Sequence, residues 1–186
     1  MHPYEVAQTL RSRAKHESIR LNYGSLYGMF DTLEKRGFVT ALETVREGRR
    51  PERTVYEITD DGIRELHDWL SEMLATPVKE YLQFEAGLSL IAVLPPDVAT
   101  VVLHERALGL EVTLAQMRGR LAATQAAGLP RLFELEDEYQ MALLEAELDF
   151  VKKLVKDIES GELGGLDMWQ AWFEDGTPIT WHPPED

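Results

Sequence analysis

Two groups of side chains in the first third of the chain have the chemistry to bind a phosphate backbone. One is a set of four arginines within eight residues: Arg46, Arg49, Arg50 and Arg53. Guanidinium groups pair with phosphate through two parallel hydrogen bonds. The other is a polar set around Gly24: Asn22, Tyr23, Ser25 and Tyr27. These side chains can hydrogen-bond to phosphate or to base edges. Together the two groups predict a DNA-binding surface.

The charge of the chain is divided unevenly along its length. The net charge of −14 argues at first against nucleic acid, because DNA repels an acidic protein. Residues 1–60, however, hold 10 Lys/Arg and 9 Asp/Glu, a net charge of +1, whereas residues 61–186 hold 9 and 24, a net charge of −15. The acidity therefore belongs to the other end of the chain, and an electroneutral domain with a basic tip can still face phosphate.

Two predicted helices come before the arginine group. The first covers Pro3–Arg13, since proline suits the first helical turn. The second covers Tyr23–Arg36, with Asn22 as its N-cap and Gly37 placed to end it in a left-handed conformation. The polar set would then lie at the start of the second helix, where free backbone amides and the helix dipole favour phosphate.

A β-hairpin is predicted next, with the arginines at its tip. Phe38–Val45 and Thr54–Ile58 are β-prone, and Gly48 supplies turn geometry between them. Thr59 can cap a third helix that runs to about Leu74. This order is typical of a winged helix-turn-helix, in which the second helix enters the major groove and the hairpin contacts the adjacent backbone or minor groove. The alternative is that the tyrosines only pack and that the arginine-rich turn is a solvated loop.

The second half of the chain is predicted to be helical. The expected helices are Tyr81–Leu94, a long helix from an Asp97 cap to about Ala126, and another from about Arg131 to Ser160. Both long helices carry heptad stripes, which predict a dimer interface. These stripes comprise Leu103, Ala107, Leu110, Leu114, Met117 and Leu121 in the first helix, and Met141, Leu144, Leu148, Val151, Val155 and Ile158 in the second. The alternative is that the two helices pack on each other within one chain.

The end of the chain, from Leu163, is expected to be irregular, acidic and aromatic. Trp169, Trp172 and Phe173 have helical spacing, which is typical of core packing. They could instead form the wall of a pocket for a small aromatic effector, because flat ligands stack on aromatic rings. The predicted fold is thus mainly α with a small β-hairpin wing. It comprises a DNA-binding domain over residues 1–76, a helical dimerisation domain over 77–162 and a tail over 163–186.

Several function classes are disfavoured by what the sequence lacks. There is no cysteine, so disulfides and thiolate metal sites are excluded. The longest strongly apolar stretch, Leu88–Leu94, is too short to span a bilayer, and no signal peptide is evident, so we expect a soluble cytoplasmic protein. Phosphate-loop, nucleophile-elbow and zinc-protease motifs are missing, and the histidines are scattered. We therefore expect neither an enzyme nor a cofactor or metal site.

Four ordered segments resemble signatures of the PadR family of bacterial transcriptional regulators: residues 1–5, 21–27, 33–39 and 48–59. The resemblance is strong over roughly residues 1–75, and the later helices resemble more loosely the longer C-terminal domain of one subfamily. It implies a homodimeric regulator, usually a repressor of palindromic operators, with Tyr23–Arg36 as recognition helix and Arg46–Arg53 as wing. Family members respond to phenolic acids or planar drugs, so it also permits a small aromatic effector.

One departure from the family pattern favours a second hypothesis. The family carries a further apolar helix before the His2-Pro3-Tyr4 motif, at which this chain begins. Either the sequence is truncated or its start is placed too late, or the C-terminal helices or a partner chain take the place of that helix. With nothing in its place, Leu26, Phe30 and the face of the first helix would be exposed. The second hypothesis is therefore a protein-interaction or ligand-sensor module that no longer binds DNA.

Overall fold

The computed structural model describes residues 1–13, 15, 19, 22–45 and 53–180 of the 186-residue chain. For Tyr23, residues 43–45 and Arg53 it describes the backbone alone. The described residues form two compact units that divide after Glu80. None of the described helices is both long enough and apolar enough to cross a membrane.

The first unit contains three helices and an antiparallel hairpin. In chain order its elements are α1 (Pro3–Ser12), α2 (Tyr23–Lys35), β1 (Val39–Val45), β2 (Arg53–Ile58) and α3 (Asp60–Ala75). The mainly helical fold with a two-stranded wing is confirmed, and so are the caps: Asn22 and Thr59 are the N-caps of α2 and α3. Gly37 follows α2 with φ +76°, the left-handed conformation that glycine adopts without strain.

The junction between the hairpin and α3 is held by a small network of hydrogen bonds around Thr59. The Thr59 hydroxyl donates to the Gly37 carbonyl at 2.7 Å and accepts from the Gly62 amide at 3.0 Å. The Thr59 amide donates to the Phe38 carbonyl at 3.0 Å. These bonds join the end of α2, both strands and the start of α3, so the elements around the hairpin are fixed as one body.

The second unit contains four helices, of which two are long. They are α4 (Gln83–Ser89), α5 (Pro96–Ala126), α6 (Leu135–Glu159) and α7 (Leu166–Asp175), with 3₁₀ turns at Ile91–Val93 and Arg131–Phe133. Its core lies between α5 and α6 and is closed by α7 through Leu166 and Trp169. Arg118 and Glu145 pair across α5 and α6 at 2.6 Å, and Lys152 and Glu111 also pair at 2.6 Å.

The boundaries of α4 and α5 differ from the sequence expectation. The expected helix over Tyr81–Leu94 is only seven residues long, because Leu90 (φ −118°, ψ 11°) leaves helical geometry and a 3₁₀ turn follows. Asp97 is not the cap of α5: Pro95 is the N-cap, Pro96 takes the first helical position that proline favours, and Asp97 lies in the first turn.

The last long helix and the tail also differ from expectation. α6 begins at Leu135, after a 3₁₀ turn. Glu134 just before it is 2% exposed, and its carboxylate accepts from the Thr124 hydroxyl at 2.7 Å and the Gln125 amide at 3.2 Å. The segment from Leu163, expected to be irregular, contains the ten-residue helix α7. Leu166 and Trp169 of the expected tail are therefore part of the core of the second unit.

Gly62 offers a test of the hairpin junction. A Cβ at this position would overlap the Phe38 carbonyl oxygen and approach Ile58 Cγ1 to 2.9 Å. Because the obstacle is backbone, we expect Gly62→Ala to destabilise the first unit by about 1–3 kcal/mol. The matched control is Gly28→Ala in α2, where a Cβ meets nothing within 4 Å and should stabilise by about 0.5–1 kcal/mol. Urea unfolding measures both; equal effects would contradict the close packing at Gly62.

Candidate nucleic-acid interface

The start of α2 is an exposed, capped helix end. The Asn22 side-chain oxygen accepts a hydrogen bond from the Gly24 amide at 3.0 Å, with the Asn22 backbone extended (φ −101°, ψ 102°). This cap leaves the side-chain amide nitrogen of Asn22 as a donor for a ligand. The Ser25 hydroxyl donates to the Asn22 carbonyl at 3.1 Å. The side-chain oxygen of Asn22 is thus used to order the turn, whereas its side-chain amide nitrogen remains as a donor. This donor lies at an exposed helix N-terminus, which favours anions.

Tyr27 extends this surface by one turn. Its side chain is 54% exposed, and its ring meets the His2 ring edge-on at a centroid distance of 5.9 Å. The structure therefore brings Asn22, Ser25 and Tyr27 together at one exposed helix end. Tyr23 begins the same helix, but its side chain lies outside the described residues.

The opposite side of α2 packs on the rest of the first unit. Leu26 is 7% exposed, and the Phe30 ring lies against Tyr56 of β2 with 5.0 Å between centroids. Burial, followed by the nearby carboxylates of Glu34 and Asp31, raises the pKa of Tyr56. Leu26 and half-buried Phe30 are covered within this unit. The packing orients α2 relative to the hairpin.

The hairpin carries the predicted wing at its far end. Val39 pairs with Ile58 at its base, Val45 pairs with Arg53 nearest the tip, and an irregularity between Ala41 and Glu43 shifts the register. The side chain of Arg53 lies outside the described residues, as does the tip that contains Arg46, Arg49 and Arg50. Their contact with DNA stays a prediction.

The heptad stripes predicted to form the dimer interface pack against each other within one chain. Leu103, Leu110, Leu114 and Met117 of α5 are buried, as are Leu148, Val151 and Val155 of α6; Leu121, Met141 and Leu144 are half-buried. This is the alternative that the sequence left open. The inner stripe of α5, which comprises Leu103, Leu110 and Leu114, is buried inside the second unit. A partner chain would therefore need a different surface.

A second apolar stripe on α5 was missed in the sequence. Val101, Leu108 and Val112, here called the outer stripe, are 57%, 63% and 50% exposed. They repeat the spacing of the inner stripe but precede it by two residues. Two residues correspond to about 200° around a helix, so the outer stripe lies opposite the inner one. This displaced repeat was the signal that could have identified it.

The aromatic residues of α7 divide into packing and exposed positions. Trp169 is 5% exposed, and its indole nitrogen donates to the Leu94 carbonyl at 2.8 Å. It is therefore part of the core. Trp172 and Phe173 are 43% and 40% exposed.

These features define the class of fold. Two helices joined by a short connection, with the second capped and exposed at its start, are followed by a two-stranded hairpin and a third helix. That arrangement is a winged helix-turn-helix, to which a helical C-terminal unit is attached.

Comparison with known proteins then gives a family likeness for the first unit. Residues 1–68 match the model of the transcriptional regulator PadR-like family. The negative transcriptional regulator PadR of Bacillus subtilis (strain 168) is 25% identical over 138 residues, 74% of this chain and 75% of that protein. Over its first 68 residues the chain thus resembles the PadR-like family of transcriptional regulators.

Solved structures show the same fold over most of the chain. Bacillus subtilis PadR in complex with operator DNA matches with a TM-score of 0.68 at 19% identity, covering 85% of this chain and 91% of that one. The same protein in complex with p-coumaric acid also gives 0.68, at 18% identity and with 86% and 90% covered. A PadR-like regulator from Bacillus cereus gives 0.53 at 18% identity, with 85% and 87% covered.

Asn22 allows its capping role to be separated from a role in binding. Aspartate caps helices as well as asparagine does, so Asn22→Asp should leave the free energy of unfolding unchanged within about 0.5 kcal/mol. It also places a carboxylate where a phosphate would lie, so DNA affinity should fall at least about tenfold. Asn22→Ala should lower stability by about 1 kcal/mol through loss of the cap.

Urea unfolding and fluorescence anisotropy with labelled DNA measure the two effects. Unchanged DNA affinity of Asn22→Asp would remove this helix end from the DNA interface.

Proposed function

We propose that the protein is a transcriptional repressor that binds palindromic operator DNA as a homodimer in the cytoplasm. The observation that carries the proposal is the exposed, capped start of α2, where Asn22, Ser25 and Tyr27 present hydrogen-bonding groups. An arginine-rich segment at the end of the hairpin adds the positive charge that DNA binding needs. The operator complex of Bacillus subtilis PadR, which shares the fold, supports the same function here.

The proposed contacts divide into positioning and sequence-specific ones. The α2 N-terminus enters the major groove, where the Asn22 amide and the Tyr27 hydroxyl reach base edges or phosphates. The arginines of the wing, Arg46, Arg49, Arg50 and Arg53, hold the adjacent backbone. Phosphate contacts fix the register without reading the sequence, so sequence specificity depends mainly on α2.

We propose that the outer stripe of α5 forms the dimer interface. Val101, Leu108 and Val112 are exposed on one side of a helix whose other side is already packed, and two copies can cover them with each other. A two-fold dimer presents two copies of α2 to half-sites about 10 base pairs apart. It would make roughly 6–10 phosphate contacts, which gives a steep loss of affinity with salt.

An aromatic effector is proposed to act on the C-terminal unit. Bacillus subtilis PadR has been solved with p-coumaric acid, and the helical C-terminal unit of this chain supports a likeness to the longer subfamily. Trp172 and Phe173 are exposed and could contact such a ligand. The alternative function, a ligand sensor without DNA binding, is favoured by the acidity of residues 61–186.

The salt dependence of DNA binding tests the wing. The full chain should bind DNA from its own upstream region with an affinity that falls steeply as salt increases. Arg49→Ala with Arg50→Ala should weaken binding to all sequences and make the salt slope shallower by about 2. Fluorescence anisotropy across a salt series gives both values. An unchanged slope would remove the wing from the phosphate interface, and absence of binding would favour the sensor alternative.

The outer stripe is tested by the oligomeric state. Leu108→Glu places a charge in the proposed interface and should shift the dimer to monomer, raising the dissociation constant at least about 100-fold. Gln170→Glu, at an exposed neutral residue of α7, is the control and should leave the dimer intact. Sedimentation velocity over a concentration series measures both. A Leu108→Glu variant that stays dimeric would show that another surface joins the copies.

A further inference from the structure

A cleft of about 620 Å³ in the second unit lies between α4 and α6, and its lining includes Arg106 of α5 but none of the three residues of the outer stripe. Its apolar wall includes Phe84, Leu143 and Phe150, of which Leu143 and Phe150 are 53% and 50% exposed. The Phe84 and Phe150 rings meet edge-to-face with 6.4 Å between centroids. A volume of this size, with an aromatic wall and a few polar groups, suits a flat organic molecule.

The charges in the cleft decide which kind of flat molecule fits. Three ionisable residues line it: Glu85, Arg106 and Glu147. Arg106 already has partners within the protein. Its guanidinium pairs with the Glu147 carboxylate at 2.5 Å and lies 3.8 Å from the centre of the Phe84 ring. Its positive charge is therefore neutralised within the protein. The carboxylate of Glu85 is left as the uncompensated charge of the cleft lining.

The net charge of the second unit is negative, like the charge of Glu85. Residues 81–186 hold 7 Lys/Arg and 19 Asp/Glu, a net charge of −12. Such a field raises the local concentration of cations and repels anions. A carboxylate ligand such as a phenolic acid would have to compete with Glu147 for Arg106, whereas a cation meets Glu85 and the aromatic wall directly.

We propose that the α4–α6 cleft binds a planar aromatic cation, stacked on the Phe150 side of the wall and attracted by Glu85. As an effector site the cleft depends on the function proposed above, whereas ligand binding itself does not. The ligand class differs in charge from the p-coumaric acid found with Bacillus subtilis PadR.

A matched pair of fluorescent probes tests the charge preference. Proflavine is a tricyclic cation and anthracene-9-carboxylate is a tricyclic anion of similar size. Because proflavine also intercalates into DNA, it is titrated into the full-length protein alone, and fluorescence anisotropy gives the dissociation constants. Proflavine should bind at one site per chain, at least about tenfold more tightly than the anion. Equal affinity for the two probes would overturn the proposal.

Substitutions locate the probe. Phe150→Ala should weaken proflavine binding about five- to tenfold by loss of stacking, whereas Tyr139→Ala, an exposed α6 aromatic outside the cleft lining, should not. Glu85→Gln should weaken binding of the cation, whereas Glu105→Gln, an exposed α5 carboxylate outside the cleft lining, should not. Unchanged affinity in Phe150→Ala or Glu85→Gln would contradict the site.

Glu147→Gln provides a readout that a general packing defect would not produce. It frees the Arg106 charge, so the affinity for proflavine should fall while the affinity for the anion rises. Circular dichroism checks that the variant is folded, and Glu85→Gln tests the charge argument at an exposed position.

If Phe150→Ala dissociates the dimer and leaves proflavine binding unchanged, the cleft is a protein interface and the proposal fails. Loss of DNA binding with probe binding retained would instead refute only the regulator function.

Discussion

The packing of α2 onto the hairpin is the interaction on which the proposed DNA-binding surface depends. Phe30 lies against Tyr56, and Leu26 is buried, so one side of α2 is fixed while Asn22, Ser25 and Tyr27 stay exposed. At the hairpin base, Thr59 joins the end of α2 to the start of α3. Because α2 and the described strands form one body, the start of α2 keeps a fixed position relative to those strands, which groove binding requires.

In the second unit, the long helix α5 likewise has one packed side and one exposed side. The inner stripe of α5 is buried against α6, whereas the outer stripe is exposed and is the surface proposed to bind a partner. α6 also has an exposed apolar side, which with α4 forms the cleft. In the proposed account, this pair of helices thus uses one surface for assembly and another for a ligand. The acidity of this half bears on the charge of the proposed ligand, whereas the proposed DNA-binding groups lie in the first unit.

Local signals predicted the first unit well. The Asn22 and Thr59 caps and the left-handed Gly37 are encoded within a few residues, and the structure has each of them. α7 was missed because it starts at Gly165 without a side-chain cap, so its stability comes from burying Leu166 and Trp169. The pairing of the two heptad stripes could not be decided from sequence, since identical spacing serves an intrachain core and a dimer equally.

Hydroxyl-radical footprinting of the full-length protein on DNA from its own upstream region tests the central claim most directly. Two copies of α2, presented by a two-fold dimer, should protect two windows related by symmetry and separated by about one helical turn. Asn22→Asp should weaken both windows together. A single protected window, or protection that Asn22→Asp leaves unchanged, would contradict recognition of DNA by the start of α2.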